Sequence, residues 1–543
     1  MTKKVTDQPD KYAFPVIDLF AGPGGLGEGF SSIYNKKNER VFSIKLSIEK
    51  DYHAHKTLRL RSFYRQFKPQ DVPELYYDYI KENDSKKKEE LFESLIEKNQ
   101  KEWQNAENEA WKFELPHEEG YNDQQIKKAH EEIDRRISAC LSPKKDWVLI
   151  GGPPCQAFSL VGRSRNQLKD NVNKKDHRVF LYKEYLRIIA KHHPAIFVME
   201  NVKGLLSAKV DGEKVFTWMK NDLKNPGSVF ENLDSPTYKV FSFVKEPDSF
   251  DENGFPEYKD DRAFLIKTEK FGVPQKRHRV IFLGIRQDID ASNIKTLEKS
   301  ELVLLKNVIG SLPKIRSGIG REIIGSKENG KHIYKKIINN QENWEDSVSF
   351  YRAKLAEEFK DIKLNKKEQS PSSEGLNFLE FKDAEKENPL KDWYKDPRLT
   401  GILNHESRTH LKEDLARYLF SSIYLQKNGD FPKLRDYPEW LLPEHKSAKG
   451  GKFADRFRTQ RPEFPATTIT SHISKDGHYF IHYDPLQCRS LTVREAARIQ
   501  SFPDNYYFCG ARTHQYHQVG NAVPPFLAKQ IGDIVISILK KIK

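Results

Sequence analysis

The sequence predicts an α/β protein built on a mainly parallel sheet with helices on both faces, and three observations predict it. Short apolar segments alternate with helical segments between residues 14 and 286. The first segment breaks into a glycine-rich turn, as in Rossmann-like folds that bind nucleotides. Reactive residue types follow several of the predicted strands, and the active sites of parallel sheets lie beyond the carboxyl ends of the strands.

Composition restricts the class of protein further. The 543 residues have a formal net charge of +14 and 12% aromatics, which excludes a polar disordered tail and makes a polyanion a candidate partner. Four cysteines are too few for a disulfide scaffold and fit a reducing compartment. We find no apolar run near the roughly 18 residues of a membrane span and no apolar signal segment. We therefore expect a cytoplasmic protein that does not enter a membrane.

Apolar runs and helical spacing predict the elements in chain order. A helix is predicted at Leu181–Lys191, and from Arg489 LTVREAARIQ predicts an amphipathic helix, followed by a loop (HQVGNAVPP) and a C-terminal helix. The predicted strands are Pro15–Phe20, Val41–Glu49, Asp146–Ile150, Ala195–Met199, Tyr238–Lys245 and Val280–Ile285.

Two segments interrupt this pattern. Residues 66–141 contain seven more acidic than basic residues and show helical spacing, so they predict an acidic helical insertion that does not bind nucleic acid. Residues 287–480 are polar and irregular and predict a smaller separate domain. The predicted organisation is a main domain over 14–286, a second domain over 287–480, and residues 481–543 that complete the main domain.

The glycine-rich turn and the acid after the second strand predict a nucleotide-type ligand. Gly22-x-Gly24-x-x-Gly27 follows the first strand, and Glu49 ends the second, where it can bind a ribose. This pattern fits proteins that bind NAD, FAD or S-adenosylmethionine equally well. A tight turn without any ligand is the alternative.

Three further motifs carry reactive groups, each with a structural alternative. Cys155 follows Gly151–Pro154, a rigid loop that would present the thiol, although most lone cysteines are inert and buried. Glu200 closes an apolar strand and is either a functional acid or part of a helix-capping turn. Arg277 and Arg279 alternate at strand period, as a fork for a carboxylate, phosphate or base oxygen, or as a solvated charge run.

Taken together, these motifs are far more specific than each is alone. DLFAGPGG, GGPPCQAFS, MENVKGLL, FGVPQKRHRVIFLG, LTVREAARIQSFPD and QVGNAVPP occur in this order. With them the chain closely resembles the DNA (cytosine-5) methyltransferase family of bacterial restriction-modification type, over residues 14–50, 142–286 and 460–535. The resemblance implies a Rossmann-like, S-adenosylmethionine-dependent catalytic domain over 14–286, with the insertion 66–141. It further implies a target-recognition domain over 287–480 and a C-terminal part, 481–543, that completes the catalytic domain.

The resemblance also implies roles for matching residues. Cys155 would attack C6 of the target cytosine, Glu200 would contact its N3 edge and amine, and Arg279, with Arg277 behind it, would support its O2. The acid that contacts adenine after the family's third strand cannot be assigned, because residues 66–141 interrupt that stretch. The implied S-adenosylmethionine site contains Asp18, Phe20, Ala21, Gly22, Gly24, Gly25, Leu26, Glu49, Pro154, Leu181, Asn521 and Val523.

Duplex DNA is the implied partner, and the target base must leave the helix because the thiol cannot reach C6 inside a stacked duplex. For the weaker DNA-contact candidates Arg352, Trp393, Arg398, His405 and Arg408, an ordinary surface or packing role is the more probable interpretation. We expect DNA contacts from Gln156, Ser159, Arg163, Arg165, Arg178, Arg456 and Arg458.

The predicted function is methyl transfer from S-adenosylmethionine to C5 of cytosine within a specific duplex sequence. We expect a monomer that protects bacterial DNA from a cognate restriction endonuclease. The alternatives are an orphan regulatory DNA methylase, an RNA (tRNA) cytosine-5 methyltransferase, a non-catalytic DNA-binding paralogue and a flavin or nicotinamide enzyme. No metal site is predicted, because His514 and His517 do not lie at a zinc-like spacing from Cys509.

Overall fold

A computed structural model describes residues 13–117, 121–141, 146–154, 177–210, 212–230, 233–328, 331–359, 369–382, 387–443 and 455–542. Its strands are β1 (Phe14–Leu19), β2 (Phe42–Glu49), β3 (Ala110–Lys112), β4 (Val148–Gly151), β5 (Ile196–Val202), β6 (Lys209–Val210), β7 (Glu213–Lys214), β8 (Tyr238–Ser242), β9 (Ser249–Phe250), β10 (Pro256–Glu257), β11 (Leu265–Lys267), β12 (Gln275–Lys276), β13 (His278–Arg286), β14 (Gly318–Ser326), β15 (His332–Lys336), β16 (Gly375–Glu380), β17 (Gly401–Glu406), β18 (Thr409–Leu411) and β19 (Ala466–Thr467).

The α-helices alternate with these strands in the first half of the chain and cluster in the second. They are α1 (Gly25–Ser31), α2 (Tyr52–Arg65), α3 (Glu74–Lys81), α4 (Ser85–Lys98), α5 (Gln100–Glu109), α6 (Asp123–Cys140), α7 (His177–His192), α8 (Val215–Lys224), α9 (Leu305–Ile309), α10 (Gln341–Glu358), α11 (Lys391–Tyr394), α12 (Lys412–Asn428), α13 (Val493–Ile499), α14 (Arg512–Asn521) and α15 (Pro525–Leu539).

The central sheet confirms the predicted fold class. Its order is β11-β13-β5-β4-β1-β2-β3, with β8 also paired to β13. The five strands β1 to β5 are parallel, whereas β13 runs antiparallel to β5, β8 and β11. The carboxyl ends of β1, β2, β4 and β5 therefore meet at one edge, and β13 begins at that edge.

Apolar residues on both faces of the strands explain why helices cover the sheet on two sides. Val16, Val148 and Val198 pack in one core with α1 and α15. Their chain neighbours Ile17 and Leu149 pack in a second core with helices α6, α7 and α8. Strands buried on both faces read as continuous apolar runs, which is the pattern that predicted them.

The acid-rich segment 66–141 has two structural parts. Strand β3 pairs in parallel with β2, and α6 packs on the sheet against α7, so both belong to the central fold. Helices α3, α4 and α5 form the additional material, which packs on α2. The sequence predicted the helices but not the three-residue strand between them.

The smaller part of the chain contains β14, β15 and β18 in one sheet, the β16–β17 hairpin, and helices α10 and α12 over a common core. A further core combines residues 303–312 and 390–402 with residues 466–522. Among the described residues of the C-terminal part, Val523, α15 and Ile542 pack in or against the core of the main sheet. The predicted boundary at residue 480 therefore does not coincide with a change of core.

Two sequence expectations for the C-terminal part were wrong. Helix α13 is not amphipathic, because all seven of its residues are buried, including Arg494 and Arg498. Arg494 donates to the backbone carbonyls of Leu403, Pro503 and Tyr506, so burial of its charge is compensated by hydrogen bonds. The HQVGN segment is the end of α14 rather than a loop.

One helical stretch of the described chain, Arg512–Leu539, is long and apolar enough to cross a membrane, judged by length and composition alone. However, 72% of its most apolar window is buried inside the protein. Its second half, α15, packs against α1 and the sheet, as the core helix of a folded domain does.

Candidate active site

An acid–guanidinium pair lies at the carboxyl edge of the sheet. Glu200 is near the end of β5, and Arg279 is at the start of the neighbouring antiparallel strand β13. Arg279 Nε lies 2.7 Å from Glu200 Oε1, and the two side chains are 15% and 13% exposed. The pair is thus shielded from bulk water but still accessible from the edge, where a ligand can reach it.

The loop after β4 passes directly beside this carboxylate. A Cβ atom added to Gly152 would lie 3.0 Å from Glu200 Oε2, so a side chain there would displace the acid. The lack of a side chain at Gly152 therefore allows the GGPP loop to pack closely against the end of β5. Cys155, the next residue after Pro154, lies outside the described residues.

Arg277 supports this edge from behind. It is 2% exposed and donates to the carbonyl oxygens of Ile469 at 2.7 Å and Gly520 at 3.1 Å. Burial and the neighbouring Arg279 lower the pKa of Arg277. The interpretation of this segment as a solvated charge run is wrong, because the guanidinium joins β13 to two C-terminal segments.

The glycine-rich turn is fixed on Glu49. The Gly22 backbone N–H donates to Glu49 Oε2 at 2.8 Å, and the Asp51 N–H donates to Oε1 at 2.6 Å. Gly22 and Gly24 have φ values of +58° and +99°, which favour glycine. Burial raises the pKa of Glu49. Each carboxylate oxygen retains a second lone pair, so Glu49 can still accept hydrogen bonds from a sugar.

The C-terminal motif closes over the same turn. A Cβ atom on Gly25 would lie 2.3 Å from the carbonyl oxygen of Val523, so only glycine permits this approach. The hydroxyl of Tyr506 donates to the carbonyl of Pro23. Asn521 is exposed and lies 3.2 Å from His517 through Nδ2 and Nδ1. Residues some 500 positions apart thus form one wall of the candidate cofactor site.

Asp18 lies beneath this turn in an unusual state for a carboxyl. It is fully buried, and neither oxygen makes a hydrogen bond of ordinary geometry among the described residues. Burial raises its pKa to about 8, against the opposing effect of Arg65 and the nearby Gly27 backbone N–H. A neutral carboxyl at this position is available to a ligand's polar group or to a water molecule.

A cleft of about 470 Å³ lies beyond the carboxyl ends of β2 and β3, beside Glu49. Its lining is suited to a purine, with an aromatic ring and a carboxylate that can accept from an exocyclic amine. Lys50 Nζ lies 3.1 Å from Glu114 Oε1. The lining residues are Lys50, Asp51, Tyr52, Lys112, Phe113 and Glu114.

Glu114 is a functional candidate that the sequence did not identify. It follows β3 just as Glu49 ends β2, and the two strands are parallel neighbours. The signal for β3 is only Ala-Trp-Lys within a Glu- and Lys-rich stretch, too short to show a strand period.

The remaining predicted cofactor residues surround the same turn. Phe20 has a left-handed backbone (φ 57°) and packs, with Leu181, against the core beneath the sheet edge. Ala21 packs with Leu58 and Ala110, and Leu26 is buried in α1. Pro154 is half-buried at the end of the described loop.

The predicted DNA contacts are only partly described. Gln156, Ser159, Arg163 and Arg165 lie outside the described residues, as does the side chain of Arg178 in α7.

Two further predicted DNA contacts, in the smaller part of the chain, are described. Arg456 lies 3.8 Å from Asp476, and Arg458 pairs with Asp455. Burial lowers the pKa of Arg458. Both guanidinium groups are held by local carboxylates, so a phosphate would have to compete with these.

Three weaker candidates are packing residues. His405 is fully buried between Thr492 and the carbonyl of Pro313. Arg408 donates to two backbone carbonyls and lies over Tyr516, and Trp393 donates to the carbonyl of Ser501.

The β14–β15 hairpin is a surface that the sequence did not single out. Ile324, Ile333 and Tyr334 are 59%, 40% and 42% exposed on it, and β15 is the edge strand. Arg321 lies 4.4 Å over the ring of Tyr334. A two-stranded ribbon has the dimensions that fit a DNA major groove.

Comparisons with known proteins identify similar sequences. The sequence profile described as C-5 cytosine-specific DNA methylase matches residues 106–537. The chain is 33% identical over 539 residues to the type II methyltransferase M.Bpa9945I of Bacillus paralicheniformis, covering 96% of this chain and 99% of the relative. It is 26% identical to the DNA (cytosine-5-)-methyltransferase M.ApeKI of Aeropyrum pernix, over 74% of this chain and 86% of that one.

One solved structure shows a similar fold. A prophage-encoded protein of E. coli, described as a DNA modification methyltransferase, superimposes with a TM-score of 0.50 at 19% identity, covering 97% of this chain and 100% of that chain.

Proposed function

The chain belongs to the C-5 cytosine-specific DNA methylase family, and we propose that Cys155, Glu200 and Arg279 form its reaction centre. The family transfers a methyl group from S-adenosylmethionine to C5 of cytosine in DNA. The observation that carries the residue assignment is the shielded Glu200–Arg279 pair, 2.7 Å apart beside the glycine-walled loop that leads to Cys155.

These residue types suit the chemistry that C5 requires. Addition of the Cys155 thiolate to C6 forms a C–S bond and moves electron density towards C5. Glu200 donates a proton or strong hydrogen bond to N3, and Arg279 donates to O2, so the developing charge is neutralised. After C5 is methylated, loss of its proton restores the double bond and expels the thiolate.

The cofactor site would be formed by the glycine-rich turn, Glu49 and the cleft beside it. S-adenosylmethionine, when bound, supplies an electrophilic methyl group. Glu49 would hold the ribose, while Phe113 and Glu114 would hold the adenine ring and its amine. The open turn at Gly22, where an added Cβ would meet nothing within 4 Å, leaves room for a nucleoside without phosphates.

DNA would reach this site through the smaller part of the chain. The β14–β15 hairpin offers a basic and aromatic ribbon for a groove, and the predicted contacts between Gln156 and Arg178 follow the nucleophile in sequence. Because the named relative M.Bpa9945I is a type II methyltransferase, we propose that the enzyme modifies host DNA against a cognate restriction endonuclease.

Bisulfite sequencing of DNA from cells that express the chain tests this function. We expect 5-methylcytosine within one short recurring sequence, and none in cells that express Cys155→Ala. The matched control is Cys140→Ser, a half-buried cysteine whose thiol donates to the Lys45 carbonyl, a bond that a serine hydroxyl can also make. Methylation of tRNA but not of DNA in a parallel assay with purified protein would contradict the proposal.

A further inference from the structure

Helices α3, α4 and α5 connect the catalytic sheet to the smaller part of the chain. The sheet is complete without them, because β3 and α6 supply its regular elements between β2 and β4. The three helices are acid-rich, so direct contact with DNA phosphates would be repulsive. Their function must therefore be sought in what they contact within the protein.

Asn83, between α3 and α4, closes the open edge of strand β16. The Phe378 backbone N–H donates to Asn83 Oδ1 at 2.8 Å, and Asn83 Nδ2 donates to the Phe378 carbonyl at 2.9 Å. The side-chain amide thus pairs with β16 as a neighbouring strand would. In addition, Asn377 Nδ2 donates two longer hydrogen bonds, of 3.4 Å each, to the carbonyls of Ile80 and Glu82.

The same insert also holds the turn before β17, through contacts of Tyr77 and Arg398 that we call the clamp. Tyr77 donates through its hydroxyl to Asp396 Oδ2 at 2.7 Å. Arg398 donates to the Val72 carbonyl at 2.6 Å and to Glu74 Oε2 at 2.8 Å, and its guanidinium lies 4.2 Å over the Tyr77 ring. Arg398 was a weak candidate for DNA contact from the sequence, but in the structure its guanidinium makes these internal contacts instead.

A buried polar junction extends from the clamp to the cofactor turn. Asn505 donates to the same Asp396 oxygen at 2.7 Å and accepts from Arg61 at 3.1 Å. Arg61 pairs with Glu28 of α1 at 2.5 Å. The next residue after Asn505 is Tyr506, which donates to the Pro23 carbonyl in the glycine-rich turn. The insert, the smaller part and the cofactor turn are therefore held by one set of contacts.

We propose that residues 66–109 form a brace that fixes the smaller, target-recognition part over the catalytic edge, and that this brace determines how tightly the enzyme binds DNA. The inference rests on the proposed function, since it concerns how that site meets its duplex. A part that is already in position loses less freedom on binding than one that must be ordered by the DNA. Asn83 and Tyr77 themselves contact neither Glu200, Arg279 and Glu49 nor the glycine-rich turn. Asn505 and Tyr506 keep their own bonds to Arg61 and Pro23 when Asn83 or Tyr77 is replaced, so we expect the chemical step and cofactor binding to change little.

The test compares kinetic constants of the purified full-length enzyme for duplex DNA. For Asn83→Asp and Tyr77→Phe we expect the KM for DNA to rise about three- to tenfold, the scale of one or two lost hydrogen bonds. The kcat at saturating DNA and the affinity for S-adenosylhomocysteine should stay within about twofold. Asn108→Asp, on the exposed face of α5, is the matched control and should behave as wild type.

An unchanged KM for DNA in both variants would overturn the brace, as would an equal fall in kcat and cofactor affinity. Asn83 is exposed, so its variant keeps the core intact even if Tyr77→Phe does not fold. A wild-type enzyme that methylates no DNA would instead contradict the proposed function. In that case dissociation constants of the same variants for a fluorescent duplex, at fixed salt, still decide on the brace: a rise supports it and equality overturns it.

Discussion

At the residue scale, the Glu200–Arg279 pair is the observation that best supports the proposed reaction centre. Its two side chains come from adjacent strands, and the pair is mostly shielded, so the 2.7 Å approach brings the guanidinium against the acid with little screening by water. The pair lies where the open edge of the sheet admits a ligand. We therefore propose that this acid acts on a substrate rather than on the fold alone.

We predict that Glu200→Gln lowers kcat for DNA methylation by about 10²-fold or more, because the amide keeps the shape but is a far weaker proton donor. Affinity for duplex DNA should change little, as a gel-shift titration would show. Asp146→Asn is the control, because it breaks the Arg286–Asp146 pair, 3.0 Å, at the opposite end of β13. Equal losses of activity in the two variants would mean that Glu200 serves the fold only.

Asp18 allows a prediction for stability against pH. Its pKa of about 8 in the folded protein is above its unfolded value, so its contribution to stability is lost as the pH rises from about 4 to 8. The Asp18→Asn variant has no ionisable group at this position, so it does not lose this stability as the pH rises. The variant's melting temperature relative to wild type should therefore increase between pH 5 and pH 8.

The control for this series is Asp248→Asn. A hydrogen bond from Lys245 lowers the pKa of Asp248, so its carboxyl is ionised in both states over that range. Its melting temperature relative to wild type should be constant between pH 5 and pH 8. A pH-independent difference for Asp18→Asn as well would refute the buried neutral carboxyl.

At the element scale, the glycine-rich turn is held between β2 and the C-terminal motif. Gly25→Ala places a methyl group 2.3 Å from the Val523 carbonyl, so α1 and the Val523 segment must separate. We expect loss of S-adenosylhomocysteine binding by calorimetry and a destabilisation of about 1–3 kcal/mol. Gly325→Ala in β14, where an added Cβ meets nothing within 4 Å, is the control and should bind normally.

The β14–β15 hairpin is the element that we expect to contact DNA in the smaller part. Tyr334→Ser with Arg321→Ala should weaken binding of the target duplex about tenfold and lower its dependence on salt. Phe250→Ser is the control, because Phe250 on β9 is also an exposed aromatic residue, at 57% against 42% for Tyr334. Unaltered affinity and salt dependence in the hairpin variant would assign DNA contact to other elements.

The sequence predicted the long elements and failed on short and non-local ones. The sequence predicts all the described strands with four or more apolar residues, β1, β2, β5 and β13, because their periodicity and flanking turns are local signals. Strand β3 was missed, and with it Glu114, because three residues show no period. The sequence predicts that α13 is amphipathic, whereas its Arg494 and Arg498 are buried with hydrogen-bond partners.

Pairings across the chain were not predictable either. Asn83 and Phe378 lie 295 residues apart, and nothing in either segment indicates the other. The candidates Arg398, His405 and Arg408 carry suitable groups for DNA, but the fold uses each of them for internal hydrogen bonds. Residue type alone could not separate these two uses, since both require a strong donor.

At the scale of the whole molecule, the smaller part and the C-terminal part share a core and do not form separate consecutive units. Residues 390–402 of the smaller part share a core with residues 466–522, and α15 returns to the main sheet. The net charge of +14 coexists with an acid-rich insert whose apolar side chains pack against α2. Positive charge is thereby left to the remaining surface, where a polyanion can bind.

The most direct test of the account is covalent trapping on duplex DNA that carries 5-fluorocytosine at the target position. Fluorine at C5 blocks the final elimination, so the intermediate cannot release the enzyme. With S-adenosylmethionine present, we expect a stable protein–DNA adduct whose peptide map places the base on Cys155 and whose formation is abolished in Cys155→Ala. An adduct on Cys140, Cys488 or Cys509, or active methylation without any adduct, would contradict the proposed reaction centre.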